Sequence, residues 1–133
     1  MLYYLSLGSN LGNREATIEE ALRLLHCSQR SSFYYSKAVD FESPNAFCNC
    51  CAYVESKMEP LEFLVFTQQI ERKLGRERKS VDSRHFDRTI DIDILFTEPE
   101  VRIESEKLML PHPKMHNRPF VMVPLQEILQ KNA

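Results

Sequence analysis

The chain begins with an apolar pattern typical of a strand, which is followed by one with the period of a helix. Residues 2–7 form a short apolar run that predicts an N-terminal strand, and a turn-forming segment of Gly, Ser and Asn follows at residues 8–13. Apolar residues then recur at i, i+3, i+4 and i+7 from Ile18, which predicts an amphipathic helix with Asn13 as its N-cap. The first elements are therefore predicted to be a strand, a turn and a helix.

Two further strands and a second helix are predicted in the middle of the chain. The strands are expected at residues 33–39 and 47–58, and the second of them has apolar residues at the alternate positions Cys48, Cys50, Ala52 and Val54. The helix is expected to begin at Pro60, because proline is favoured in a first helical turn, and to end at Gly75.

The strand predicted at residues 89–96 has the clearest alternation. Its two faces are predicted to hold Ile90, Ile92, Ile94 and Phe96 on one side and Asp91, Asp93 and Leu95 on the other. A short edge strand at 100–103, a last strand at 120–123 and a helical turn beginning at Pro124 are expected to follow. This β-α-β-β-α-β order predicts an α+β protein with a ferredoxin-like antiparallel sheet flanked by helices, in a single domain spanning residues 1–133.

Composition excludes several classes of function. The 133 residues include 17 Lys and Arg and 19 Asp and Glu, and the net charge of −2 is that of an ordinary globular chain. The three glycines cannot form either common glycine-rich phosphate-binding motif. No segment approaches a membrane span or a signal sequence, so we expect a cytoplasmic protein with no membrane partner and reduced, buried cysteines.

Two charged segments carry the strongest chemical signal. Asp91 and Asp93 share one face of a strand at a spacing of about 6.6 Å, which suits Mg²⁺ with phosphate oxygens but is also typical of a solvated acidic edge. Residues 72–88 contain seven Lys and Arg and three Asp and Glu, a sum of +4. This basic segment predicts a loop that binds phosphates, although a solvated loop or an RNA-binding arm has the same pattern.

Weaker signals lie in two other places. His112 is followed by a second histidine four residues later, but the surrounding prolines disfavour the helix that a zinc pair would need. His112 and Arg118 on a proline-stiffened loop are better suited to phosphate, although a rigid turn with exposed polar groups has the same pattern. Phe47, Asn49 and Phe120 could line a flat pocket for a heterocycle, although phenylalanines with this spacing are more often core residues.

The most specific motifs are Y-L-S-L-G-S-N-L-G at residues 4–12, R-T-I-D-I-D-I-L at 88–95, L-P-H-P at 110–113 and R-P-F-V at 118–121. In this order they resemble the 6-hydroxymethyl-7,8-dihydropterin pyrophosphokinase family of folate biosynthesis, over nearly the whole chain. The resemblance implies a ferredoxin-like fold and an ATP-dependent diphosphokinase. Such an enzyme moves pyrophosphate from ATP to the hydroxymethyl group of the dihydropterin and releases AMP.

The resemblance also implies roles for individual residues. Asp91 and Asp93 would hold two Mg²⁺ ions, and Arg76 and Arg88 would be catalytic loop arginines. The positions implied for ATP are Gln68, Glu71, Arg78, Ile94, Lys107, His112 and Arg118. The positions implied for the pterin are Ser36, Val39, Phe47, Asn49, Asp91 and Phe120. The partners implied are these two small molecules, with no nucleic acid, and a monomer is favoured.

The segment before the aspartates departs from the family pattern. Many members have a Trp-Gly-Pro-Arg type of stretch where this chain has His85, Phe86, Asp87 and Arg88. Two other functions remain open on the residues alone. An RNA-binding module can share the fold but needs an aromatic strand motif that is absent here. A two-metal phosphodiesterase usually needs more carboxylates or histidines than this strand offers.

Overall fold

The computed structural model describes residues 1–37, 46–75 and 89–131. The strands in chain order are β1 (Leu2–Ser9), β2 (Gln29–Arg30), β3 (Tyr34–Ser36), β4 (Phe47–Glu55), β5 (Asp91–Glu98), β6 (Ile103–Glu104) and β7 (Met109–Leu110). The helices are α1 (Arg14–Leu25), α2 (Pro60–Lys73) and α3 (Pro119–Lys131), and a single 3-10 turn at Met115–Asn117 precedes α3. No helix within the described ranges is long and apolar enough to cross a membrane.

The main sheet is antiparallel and has the strand order β2-β4-β1-β5. The short strand β3 also pairs with β4, next to β2 along the chain. If β2 and β3 are counted as one interrupted strand, the two central strands are the first and third of the β-α-β-β-α-β series. This arrangement confirms the predicted α+β, ferredoxin-like architecture.

Helices cover both faces of the sheet. Helices α1 and α2 pack on the first face, where the apolar side chains of β1, β4 and β5 form the larger core cluster, and Tyr3 stacks on Phe63 of α2 with the ring centroids 3.9 Å apart. Helix α3 packs on the second face, over Tyr4, Cys51 and Leu95. Any ligand site on the second face must therefore lie beside α3 rather than beneath it.

Local sequence explains where the first two helices begin. The side chain of Asn13 accepts a hydrogen bond from the backbone N–H of Ala16, as the N-cap prediction requires. Helix α2 begins at Pro60, and the preceding Glu59 forms a reciprocal capping box with Glu62. These caps satisfy amide groups that the first helical turn leaves without partners.

The predicted faces of β5 were correct at its beginning and wrong at its end. The pairing with β1 changes register between Leu5, opposite Ile94, and Tyr4, opposite Phe96. Leu95 is the extra residue of this β-bulge, and the bulge turns the following residue to the other side of the sheet. Phe96 therefore stacks on Tyr4 on the second face, with the ring centroids 4.4 Å apart.

The predicted strand at residues 120–123 was wrong, because this segment belongs to α3. Val121, Leu125 and Ile128 recur with helical spacing and are buried together on the second face. Pro119 begins the helix, where its missing N–H has no cost, and the helix continues through Pro124. The edge strand predicted at 100–103 is instead the two-stranded hairpin of β6 and β7.

The four cysteines are free, as expected, and three of them are buried. Cys48 and Cys50 belong to the first core cluster and Cys51 to the second. Burial raises the pKa of the Cys48 thiol to about 11, so this thiol is protonated at neutral pH. The buried cysteines therefore act as small apolar core residues.

Candidate functional site

Three adjacent strands place Asn49, Gly8 and Asp91 in one row across the sheet. Gly8 of β1 lies opposite Asn49 of β4 on one side and opposite Asp91 of β5 on the other. Their neighbours in sequence point into the first core, so Asn49 and Asp91 both lie on the second face. Two strand spacings separate their backbones by about 10 Å. An amide and a carboxylate thus flank a position that has no side chain.

Asn49 is held by two hydrogen bonds to β3. Its side-chain amide nitrogen donates to the backbone oxygen of Tyr34 at 3.1 Å and to Ser36 Oγ at 2.9 Å, and the residue is only 3% exposed. A Cβ atom added at Gly8 would lie 3.2 Å from Asn49 Oδ1 and 3.6 Å from the Phe47 ring. The structure therefore brings Ser36, Phe47 and Asn49 together around Gly8.

Asp91 and Asp93 lie at the beginning of β5, on the same face of the sheet. Asp93 lies opposite Ser6, two residue pairs along the β1–β5 ladder from the pair of Gly8 and Asp91. Between them, the backbone N–H of Ile92 donates to Glu71 Oε2 at 2.8 Å. Glu71 lies in the last turn of α2 and is 3% exposed. The sequence-predicted acidic pair is thus anchored against the end of α2.

His112 lies close enough to this pair to be influenced by Asp91. Its Nδ1 accepts a hydrogen bond from the backbone N–H of Lys114 at 3.2 Å, and its own backbone N–H donates to the backbone oxygen of Leu95 at 2.7 Å. Burial, and then the positive charges of Arg118 and Lys114, lower the pKa of His112, whereas Asp91 acts in the opposite direction. His112 is therefore neutral at pH 7, with its proton on Nε2.

Arg118 and Phe120 lie together at the beginning of α3. The guanidinium carbon of Arg118 is 5.7 Å from the centroid of the Phe120 ring, and Phe120 is partly buried against the second core. The backbone oxygen of Arg118 accepts from the N–H groups of Val121 and Met122, both at 2.9 Å. The first turn of α3 thus fixes where this cation and this ring are presented.

The other predicted site residues lie on α2, in the β6–β7 hairpin, in the core or outside the described residues. Gln68 is half-buried on α2, one turn before Glu71, and Lys107 is exposed in the hairpin between β6 and β7. The Ile94 side chain is 3% exposed and belongs to the first core, so a ligand could reach this residue only through its backbone. The remaining predicted positions lie outside the described residues: Val39, Arg76, Arg78 and Arg88.

The chemistry of the acidic pair suits magnesium better than a metal that needs an all-protein site. Within the described ranges, no group of three or more His, Cys, Asp or Glu side chains is placed to hold a metal ion. Magnesium usually takes only one or two protein carboxylates and completes its octahedron with phosphate oxygens and water. Asp91 and Asp93 therefore fit Mg²⁺ that arrives with a polyphosphate.

Sequence reasoning missed three features of the site. It did not identify Gly8 as the middle of the row, the Tyr34 carbonyl as a partner of Asn49, or the Lys114 amide as the group that sets the His112 tautomer. A glycine inside a strand is a signal for close approach of another group and could have indicated the first. The other two are backbone contacts, which side-chain identity does not encode.

Comparison with known proteins gives one consistent family. The family model described as 7,8-dihydro-6-hydroxymethylpterin-pyrophosphokinase (HPPK) matches residues 4–130. A Porphyromonas gingivalis protein named 2-amino-4-hydroxy-6-hydroxymethyldihydropteridine pyrophosphokinase is 42% identical over 132 residues, which cover 96% of this chain and 90% of that protein. A Bacillus subtilis protein of the same name is 41% identical over 134 residues, covering 96% and 78%.

Some relatives are longer. The Bifunctional protein FolKE of Lactococcus lactis subsp. lactis is 39% identical over 136 residues, which cover 97% of this chain but 38% of that protein. A solved structure titled as HPPK-DHPS in complex with substrates has a TM-score of 0.68 at 15% identity, covering 96% of this chain and 40% of that one. At that identity the structural similarity supports the fold alone.

Proposed function

Since the chain belongs to the 7,8-dihydro-6-hydroxymethylpterin-pyrophosphokinase family, we propose that it transfers pyrophosphate from ATP to the hydroxymethyl group of 6-hydroxymethyl-7,8-dihydropterin. The hydroxymethyl oxygen attacks the β-phosphorus of ATP, the bond to the α-phosphate oxygen breaks, and AMP leaves. The products are AMP and the pterin diphosphate, and the chain is an ATP-dependent transferase of folate biosynthesis.

The row of Asn49, Gly8 and Asp91 is the observation that carries the proposed site. One end has a buried amide that can form hydrogen bonds with the edge of a heterocycle. The other end has carboxylates suited to cations that also bind phosphates. The glycine between them leaves room for a flat ring on the second face of the sheet. A distance of about 10 Å between the two ends matches a bicyclic ring with a short arm that reaches the phosphates.

The pterin end consists of polar groups and two aromatic rings. Asn49 and Ser36 are linked by a hydrogen bond of 2.9 Å, so both are oriented before the ligand binds. Phe47 lies beside Gly8, and Phe120 at the beginning of α3 provides the second ring in the proposal. Val39 is assigned to the same pocket by the family resemblance alone.

The phosphate end combines carboxylates with positive and neutral donors. In the proposal Asp91 and Asp93 hold two Mg²⁺ ions, which neutralise charge on the triphosphate when bound. Arg118 supplies a cation, and His112 offers its Nε2–H as a neutral donor to a phosphate oxygen. Gln68, Lys107, Arg78 and the Ile94 backbone are assigned to ATP, and Arg76 and Arg88 to phosphate charge during transfer.

The proposal also covers domain organisation, oligomeric state and cellular location. We assign residues 1–133 to a single domain and the protein to a monomer with no nucleic-acid partner, in keeping with a net charge of −2. The four free cysteines fit the reducing environment of the cytoplasm, to which we assign the enzyme.

The metal role of the acidic pair is tested by Asp91→Asn and Asp93→Asn. Each change removes a charge at nearly constant volume, so we expect kcat to fall by about 10²- to 10³-fold while the melting temperature stays near that of the wild type. The measurement is AMP formation with ATP, Mg²⁺ and the dihydropterin.

A matched control for these variants is Glu98→Gln, which makes the same charge change at the exposed far end of β5. Its kcat is expected to stay at the wild-type value. Wild-type kcat in either folded aspartate variant would contradict the assignment of the metal site to this pair.

A further inference from the structure

Glu71 is a buried carboxylate that contacts the backbone of the candidate site. Its Oε2 accepts from the Ile92 backbone N–H at 2.8 Å, and the residue is 3% exposed. Ile92 is the single residue between Asp91 and Asp93. A hydrogen bond from a backbone amide to a buried carboxylate is short, directional and stronger than one between neutral groups. Glu71 is thus bonded to the peptide that joins the two proposed metal ligands.

The position of β5 in the sheet explains why this bond forms. β5 ends the strand order and pairs with β1 on one side, and within the described ranges no strand pairs with its other side. In an antiparallel ladder the N–H groups of successive residues point to opposite sides of the strand. The Ile92 N–H points towards α2, so Asp91 and Asp93 direct theirs towards β1, where they lie opposite Gly8 and Ser6.

The helix therefore replaces a missing strand at one point of the sheet edge. An edge amide without an acceptor would be free to bind water, and the strand could twist or fray there. Glu71 supplies an acceptor to the Ile92 N–H, at the point where Asp91 and Asp93 must keep their side chains on one face. A rotation of this peptide would change the separation and the direction of the two carboxylates together.

We propose that Glu71 is a positioning residue, whose carboxylate holds the peptide of Ile92 so that Asp91 and Asp93 stay matched to their cations. This inference rests on the proposed function and deepens it. The contact between Glu71 and the acidic pair runs through the Ile92 backbone N–H, so the proposal assigns it a role through the backbone. The family resemblance placed this residue at the nucleotide, and the geometry assigns it a different task.

Two variants of Glu71 separate its role as a hydrogen-bond acceptor from the effect of its charge. Glu71→Ala removes the acceptor, and we expect kcat to fall by about 10- to 100-fold and Mn²⁺ to bind more weakly by a similar factor, as for other groups that orient metal ligands. The KM for the dihydropterin is expected to stay unchanged. Glu71→Gln keeps an acceptor oxygen without the charge and is expected to restore most of the lost kcat and Mn²⁺ affinity.

Thr67→Val is the matched structural control. Thr67 is fully buried on the same helix, one turn before Glu71, and its hydroxyl donates only within the helix, to the Leu64 backbone oxygen at 2.8 Å. Its loss is expected to lower stability without changing kcat or Mn²⁺ affinity. Mn²⁺ binding is measured by electron paramagnetic resonance with a non-hydrolysable ATP analogue, so this readout needs no turnover.

Amide hydrogen exchange in the metal-free protein gives a third readout. The Ile92 amide is expected to exchange faster in Glu71→Ala than in wild type or Thr67→Val, relative to other β5 amides. Unchanged Ile92 exchange and unchanged Mn²⁺ affinity in folded Glu71→Ala would overturn the proposal. A higher KM for ATP at unchanged kcat would overturn it in favour of direct nucleotide contact. Equal losses of kcat and Mn²⁺ affinity in the Gln and Ala variants would also overturn it, because the hydrogen-bond acceptor would then not be what matters.

These outcomes are distinct from failure of the proposed function. If the wild-type protein forms no AMP, the function is wrong, while the exchange and Mn²⁺ measurements still decide whether Glu71 positions the acidic pair. If the wild type forms AMP and the Glu71 readouts do not change, the function stands and only the positioning role is wrong.

Discussion

His112 owes its proposed role to contacts made within a few residues of it. The Lys114 amide donates to Nδ1, and burial together with Arg118 and Lys114 lowers the pKa below the ordinary histidine value of 6.5. A neutral imidazole keeps its proton on Nε2, which can donate to a phosphate oxygen without adding a charge. Protonation would break the hydrogen bond from Lys114, because Nδ1 would then be a donor.

The pH dependence of stability tests this account of His112. Its pKa is lower in the folded than in the unfolded chain, so between these values the unfolded chain binds more protons. The stabilisation is present above pH 6.5 and is lost as the pH falls towards the folded value. In the metal-free protein we expect the unfolding free energy of the wild type to fall more steeply between pH 7 and 5 than that of His112→Asn.

Asparagine is the suitable replacement because its side-chain oxygen can still accept from the Lys114 amide and does not titrate in this range. Urea titrations at a series of pH values measure both proteins. Parallel pH profiles for wild type and variant would contradict the lowered pKa of His112.

The acidic pair and the role of Glu71 differ in how far the sequence could predict them. Asp91 and Asp93 are two residues apart on an obvious strand, so their common face followed from the period of the strand alone. The bond from Ile92 to Glu71 joins residues 21 apart in sequence and depends on how α2 packs against β5. A residue pattern contains no information about that packing.

At the scale of elements, α3 shows how tertiary packing overrides local preference. Residues 120–123 are Phe, Val, Met and Val, which favour a strand when considered alone. Over a longer window, Val121, Leu125 and Ile128 form one helical face, and the second face of the sheet needs such a cover. The bulge at Leu95 is similar, because it depends on the partner strand and has no mark in its own sequence.

The burial of α3 is tested by Ile128→Ala. Ile128 is fully buried between α3 and the sheet, so the truncation is expected to lower the unfolding free energy by about 2–4 kcal/mol. Leu129→Ala is the control, because the neighbouring side chain is 37% exposed, and its effect is expected to be well under half as large. Denaturant unfolding followed by circular dichroism measures both, and equal losses would contradict the packing of α3.

At the scale of the whole molecule, the small net charge conceals a separation of charge along the chain. Residues 72–88 sum to +4, so the rest of the chain carries −6 within the total of −2. The basic segment directly precedes the acidic pair, as expected where arginines meet phosphates and carboxylates meet cations. The strand order then places Asp91 of this pair across Gly8 from Asn49, which the sequence suggested only through the family resemblance.

The identity of the nucleotide product tests the central claim most directly. Wild-type protein is incubated with ATP, Mg²⁺ and 6-hydroxymethyl-7,8-dihydropterin, and the products are separated and identified by phosphorus NMR. The account predicts AMP and a pterin diphosphate in equal amounts, with no product when the dihydropterin is left out or Mg²⁺ is chelated. Formation of ADP with a pterin monophosphate, or no turnover of the complete mixture, would contradict it.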